Sequence, residues 1–259
     1  MSFLDELVAS TRARVAAARA EVGEDALARR IAALSAPLDF TAALRSDGIA
    51  VIAEIKRATP SQGPLDLDLD ARELALAYER GGAAAISVLT EPEYFKGSLE
   101  DLEAARAVSV PLLRKDFVLD GLQLLEARAS GADCVLLIVR VVGEHLSALL
   151  EQTHGLGMQA LVEVFREEEL ELALGAGATL IGVNHRDLET FEVDPQRTLK
   201  LAPSLPPEVT VVAASGVSTR AELQELADAG VHAALVGQSL VTSKDPEAKL
   251  RELLGRTGS

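Results

Sequence analysis

The chain contains no tryptophan and one cysteine, and aromatic residues make up 3% of its 259 positions. A single thiol excludes an intrachain disulfide framework. The apolar neighbours of Cys134 (Val135, Leu136, Leu137) mark it as a core residue, which fits a reducing compartment. Positive charge is also scarce: 25 Lys and Arg stand against 40 Asp and Glu, for a formal net charge of −15. That balance excludes a general basic surface for nucleic acid. No stretch reaches the roughly 18 uncharged apolar residues that a membrane span requires. The first 22 residues carry Asp5, Glu6, Arg12, Arg14, Arg19 and Glu21, so they lack the apolar run of a signal peptide. The chain is therefore expected in the cytoplasm, apart from membranes and nucleic acids.

What is present is ordinary globular material, 48% hydrophobic and 25% charged, long enough to bury a substantial core. Residues 2–34 read as one helix, with Leu4, Leu7, Val8, Val15 and Ala18 on one face, until Pro37 breaks the pattern. Beyond it, eight short apolar runs begin 22 to 35 residues apart: 49–55, 84–89, 110–113, 134–139, 158–162, 180–183, 209–213 and 233–236. Near-continuous apolar character suits strands covered on both faces. Helix-like segments lie between them, at 71–80, 99–107, 121–130, 144–154, 167–174 and 220–229. Glycines at 81–82, 131, 155–157, 177 and 230 separate helix from strand, as left-handed helix ends require. Eight such units predict an α/β fold, a (β/α)8 TIM barrel of one domain over residues 1–259, with residues 1–45 as an N-terminal helical extension. No G-x-G-x-x-G turn follows any strand, which disfavours a dinucleotide-binding open sheet.

In such a barrel the chemistry sits at the C-terminal strand ends. Glu54 and Lys56 end the first strand and, two residues apart, share a face. They read as a rim ion pair or as site residues. Lys115 ends the third strand. The chain has 6 Lys against 19 Arg, and two of the six lie at strand ends, which suggests a need for a titratable amine. Glu163 interrupts the apolar fifth strand, as a rim residue or as an acid/base. Asn184 ends the sixth strand, as a loop cap or a site residue. The four His residues (145, 154, 185, 232) share no metal spacing, and His185 reads as a loop residue. Ser215-Gly216 and Gly237-Gln238 follow strands seven and eight, where small residues and a short helix frequently hold phosphate. Ser61, after strand one, adds a hydroxyl.

Read together, the segments IAEIKR (52–57) with PS (60–61), LTE (89–91) with YFKGS (94–98), LRKDF (113–117), LLIV (136–139), ALVEV (160–164) and GVN (182–184) with RDL (186–188) resemble the indole-3-glycerol phosphate synthase family. The likeness runs from about residue 40 to residue 242. It implies an enzyme of tryptophan biosynthesis, a carboxy-lyase acting on a small phosphorylated substrate, 1-(2-carboxyphenylamino)-1-deoxyribulose 5-phosphate. No metal or organic cofactor is expected, and the chain would be a monomer or weak homo-oligomer. By the same resemblance Lys115 is the general acid of ring closure and Glu163 the acid/base of dehydration. Lys56 and Arg186 lie at the substrate carboxylate, and Glu54 and Asn184 orient these groups. Phe95, Phe117, Leu136 and Leu188 line an apolar slot. Ser61, Ser215, Gly216, Gly237 and Gln238 bind phosphate. An ammonium serves as general acid if a nearby lysine and desolvation lower its pKa. Four positions depart from the family pattern: Ala214 for Glu, Gln62 for Lys, Phe165 for His, and His185 for a small or amide residue. These departures leave two further readings open, a barrel re-purposed for another aromatic or phosphorylated ligand and a non-catalytic phospholigand binder.

Overall fold

A computed structural model describes residues 2–21, 23–45, 48–187 and 190–256. Eight parallel strands close into a barrel: β1 (Ala50–Ile55), β2 (Ala85–Leu89), β3 (Leu112–Lys115), β4 (Cys134–Ile138), β5 (Gln159–Val164), β6 (Leu180–Asn184), β7 (Thr210–Ala214) and β8 (Ala233–Val236). Each pairs with its neighbours in sequence, and β8 returns to β1. All eight apolar runs became strands. The third lies farther along the chain than expected, so that Lys115 belongs to the strand itself.

Alternation along the strands separates two cores. Val51, Ala53 and Ile55 point outward into a large cluster with the helices. Ala50 and Ile52 point inward, with Leu113, Leu136, Leu161, Leu180, Val212 and Leu235. Continuing the inward rows by two residues reaches Glu54, Lys115, Ile138, Glu163, Ala214 and Gly237. One parity rule thus aims the candidate side chains of several strands at a common mouth.

The leading segment differs from the expected single helix. It forms α1 (Phe3–Glu21), α2 (Glu24–Ala32) and the short α3 (Phe40–Leu44). Gly23 is extended (φ −71°, ψ 128°) and precedes α2 as its cap, which interrupts the helix where a residue without Cβ weakens it most. Leu7, Phe40 and Leu44 join the inner cluster, and Arg14 pairs with buried Asp116 at 2.9 Å. The extension is thus fastened to the residue that follows Lys115.

The outer helices are α4 (Ala71–Gly81), α5 (Leu99–Ala105), α6 (Gly121–Ala129), the short α7 (Val139–Val142), α8 (Leu146–Gly155), α9 (Glu167–Gly175), α10 (Arg197–Leu201), α11 (Arg220–Asp228), α12 (Gln238–Val241) and α13 (Pro246–Leu253). The expected glycine ends are present: Gly82, Gly131, Gly157, Gly177 and Gly230 all have positive φ. Among the described residues no helix is long and apolar enough to cross a membrane.

Candidate active site

The inward rows open onto a cavity of about 330 Å³ at the C-terminal strand ends. Its titratable lining consists of Glu54, Lys56, Lys115 and Arg186, three cations against one carboxylate. Glu54 is 1% exposed. Its Oε1 accepts from Lys56 Nζ at 2.6 Å and its Oε2 lies 3.1 Å from Lys115 Nζ. Burial alone would push the Glu54 pKa up, but the charges of Lys115 and Lys56 outweigh it and hold the carboxyl at about 2. Glu54 is therefore a fixed anion between two ammonium groups.

Lys115 contradicts the expectation of a lowered pKa. Burial does lower it, but the carboxylates of Glu54 and Glu163 outweigh burial, and the amine is held above its usual value. The sequence expectation counted desolvation and a nearby lysine; it did not count a carboxylate in contact. Glu163 behaves in the opposite way. Burial raises its pKa, and the lowering effects of Lys115, the Asn184 hydrogen bond and Arg140 do not cancel it. Asn184 Nδ2 donates to Glu163 Oε1 at 3.0 Å, while Asn184 Oδ1 accepts the Arg186 amide at 3.0 Å. Glu163 borders a small recess behind the main cavity, which shares Asn184 and Arg186 with it.

At the mouth, Phe95 and Phe117 lie 6.4 Å apart between centroids, tilted by 33°, and both line the cavity. Leu136 lies lower, 3% exposed within the inner cluster. Leu188 falls outside the described residues. Ser215, Gly216, Gly237 and Gln238 line the opposite rim. Gly237 leaves no room for a side chain, because a Cβ there would lie 2.6 Å from Glu54 Oε1 and 3.1 Å from Lys56 Nζ. Ser61 is exposed and outside the lining; its hydroxyl meets Thr59 Oγ1 at 2.9 Å, and Thr59 and Pro60 face the cavity instead. Among the described residues, no three His, Cys, Asp or Glu side chains are grouped to hold a metal ion.

The four departures have distinct surroundings. Ala214 is buried at the end of β7, in register with Asn184 and Leu235. Gln62 accepts from Gln238 Nε2 at 2.7 Å, so the loop after β1 touches the start of α12 across the rim. Phe165 lies beside two guanidiniums, Arg197 at 3.5 Å and Arg140 at 4.4 Å from its ring centre. His185 is not an open loop residue: it is 1% exposed, and its Nε2 meets Thr198 Oγ1 at 2.6 Å.

Phe3 and Phe191 also line the cavity and had no signal in the sequence. Phe3 packs on Phe191 at 5.2 Å and on Tyr94 at 4.9 Å, which joins α1 to two barrel loops. Arg140 had a signal. It directly follows the apolar run of strand four, as the other polar strand ends follow theirs.

A family model for indole-3-glycerol phosphate synthase matches residues 4–253. The chain belongs to the indole-3-glycerol phosphate synthase family. It is 53% identical over 255 residues to the indole-3-glycerol phosphate synthase of Mycolicibacterium vanbaalenii, covering 98% of this chain and 94% of that one. It is 52% identical to that of Mycolicibacterium smegmatis and 50% to that of Mycobacterium bovis, with the same coverage. Solved structures similar in fold include the N-acetylmannosamine-6-phosphate 2-epimerase from Clostridium perfringens (TM-score 0.63, 17% identity, 85% of this chain and 96% of that one). Another is a mutant tryptophan synthase α-subunit from Pyrococcus furiosus (TM-score 0.60, 18% identity, 80% and 98%). Membership in the indole-3-glycerol phosphate synthase family makes the chain an enzyme, a carboxy-lyase of tryptophan biosynthesis.

Proposed function

We propose that this chain closes the indole ring of 1-(2-carboxyphenylamino)-1-deoxyribulose 5-phosphate, releasing CO2 and water, with Lys115 and Glu163 as its catalytic residues. The observation that carries the reading is the buried Glu54 anion in contact with both Lys56 and Lys115, with the Asn184-bound Glu163 near enough to raise the Lys115 pKa. The aromatic ring packs against Phe95 and Phe117, its carboxylate toward Lys56 and Arg186 and the phosphate of the substrate toward Ser215, Gly216, Gly237 and Gln238. Holding the ring carbon against the ribulose carbonyl is a positioning task, and an apolar slot with two charged anchors performs it.

A carbon–carbon bond forms between the ring carbon and the carbonyl carbon, and the developing alkoxide takes a proton from the Lys115 ammonium. The raised pKa of Lys115 keeps that proton in place until the oxygen becomes basic. The bond to the carboxylate then breaks, CO2 leaves, and its electron pair restores the aromatic ring. Glu163 protonates the new hydroxyl, which departs as water. The amine left on Lys115 by the first step takes the proton lost from the adjacent carbon. Desolvation suits Glu163 to this part, because it favours the neutral, proton-bearing acid.

The same reading treats the chain as one barrel domain acting in the cytoplasm without nucleic acid. The closed strand order, the net charge of −15 and the lone buried Cys134 support it.

The test is indole fluorescence on addition of the carboxyphenylamino-deoxyribulose phosphate. Turnover is expected from the parent, with a loss of about 10³-fold or more in Lys115→Ala. Turnover in the parent no higher than in Lys115→Ala would refute the assignment. A re-purposed barrel is the second reading, and Ala214 favours it, since a methyl group stands beside Asn184 where the family pattern has a carboxylate. Under the proposed function Ala214→Glu raises turnover of this substrate; a fall would favour a site adapted to another ligand.

A further inference from the structure

α10 lies outside the cavity, yet two adjacent side chains of it reach the exits of β5 and β6, and through His185 that of β7. Arg197 Nη1 donates to the main-chain carbonyls of Asn184 at 2.8 Å and His185 at 2.6 Å. The same guanidinium lies over Phe165, which directly follows β5. One planar group thus ties the exit of β5 to that of β6. Thr198 is fully buried, and its hydroxyl meets His185 Nε2. The His185 amide donates to the Ala214 carbonyl at 2.9 Å, and its buried Nδ1, which has no hydrogen-bond partner among the described residues, lies 3.9 Å from where a Cβ on Gly216 would stand. This second chain ties the exit of β6 to that of β7.

Each tie ends on a part of the site. Asn184 donates to Glu163. Ser215 holds φ at +71°, a conformation that side chains other than glycine rarely adopt and that needs support from its surroundings. Nε2 shares a hydrogen bond with the Thr198 hydroxyl, which a neutral ring can make in either tautomer. Burial and the charge of Arg197 favour this neutral ring, and lower its pKa despite the Ser215 carbonyl.

We infer that Arg197 and Thr198 are positioning residues: Arg197 holds the Asn184–Glu163 pair, and Thr198, through His185, holds the Ser215–Gly216 turn. The roles of that pair and that turn rest on the function proposed above. A guanidinium can donate to two carbonyls and stack flat on a ring at once, whereas an ammonium can only donate. The two ties therefore affect different kinetic constants.

The experiment compares the full-length parent with Arg197→Met, Arg197→Lys and Thr198→Val. Arg197→Met is expected to lower kcat by about 30-fold with KM within about 3-fold, and Arg197→Lys to recover it to within about 5-fold of the parent. Thr198→Val is expected to weaken inorganic phosphate binding, read by calorimetry, and to raise KM, each by about 10-fold, at nearly unchanged kcat. Equal losses in kcat and KM for both positions would indicate general loosening and overturn the inference. Should Arg197→Met fail to fold, Arg197→Lys decides by its kcat: a loss of about 2- to 5-fold at unchanged KM supports the tie, and a kcat equal to the parent's overturns it. Should the parent itself not turn over this substrate, the proposed function fails, and amide exchange judges the Arg197 tie separately. The Arg186 amide, which donates to Asn184 Oδ1, is expected to exchange about 10-fold faster in Arg197→Met at an unchanged thermal midpoint. Unchanged exchange would overturn the tie.

Discussion

At the scale of single residues, the site is an arrangement of opposed pKa shifts. Glu54 is held as an anion, Lys115 as a cation, and Glu163 is displaced toward its neutral form. Glu163 must carry its proton to act as the acid, so kcat is expected to fall as pH rises through its pKa, a limb that lies above the ordinary carboxylate range. The Asn184 hydrogen bond lowers the Glu163 pKa, so Asn184→Ala should move this limb to still higher pH. A limb that moves down would contradict the assignment of Glu163. Glu163→Gln should lower kcat by about 10² or more with a small change in KM; equal losses would make Glu163 a binding group.

Glu54 also links stability to pH. Its folded pKa is depressed from 4.5 to about 2, so its contribution is complete above 4.5 and is lost as pH falls through 2. The shift corresponds to about 3 kcal/mol. Asp116, also held below its usual range by Arg114 and Arg14 against burial, adds to the same window, while Glu163 acts with opposite sign. A fall of roughly 5–10 °C in thermal midpoint between pH 5 and pH 2 is expected. A flat midpoint there would refute the Glu54 triad.

The facing of Glu54 and Lys56 was legible in the sequence because a strand has a strict period of two. The sign of the Lys115 shift was not, because it depends on Glu54 lying 3.1 Å away on another strand. Nor was the fixed place of His185, whose partner Thr198 is thirteen residues further along in α10.

At the scale of elements, the eight strands could be read from apolar runs and glycine ends because each is a local pattern with a local cause. The break between α1 and α2 was missed, since the apolar period continues past Gly23 and the glycine alone marks the interruption. α10, α12 and α13 were not anticipated. α10 and α12 span five and four residues, too short for a helical period. Gly237 connects β8 to α12 and shows how an element boundary serves the site. A Cβ there would press on the Glu54–Lys56 pair, so Gly237→Ala should raise KM and lower kcat, each by about 10-fold, with stability changed by no more than about 2 kcal/mol. Parent-like kinetics would mean that the pair does not need its present position.

At the scale of the whole molecule, the negative charge and the cation-lined cavity occupy different places. Acidic residues lie on the outer helices, as with exposed Glu167 and Glu168 of α9, while the cavity holds three cations and one carboxylate. The barrel makes this separation possible, because strand parity sends alternate residues into the mouth and helices carry the rest outward. Scarce lysine was the better guide to the cavity, since net charge is summed over the whole surface while two of the six lysines line the cavity. The most direct test follows the carboxylate itself. With substrate labelled in the carboxyl carbon, the parent is expected to release one labelled CO2 for each indole formed, and Lys115→Ala to suppress both together. Indole formed without CO2, or CO2 released undiminished by Lys115→Ala, would contradict the account.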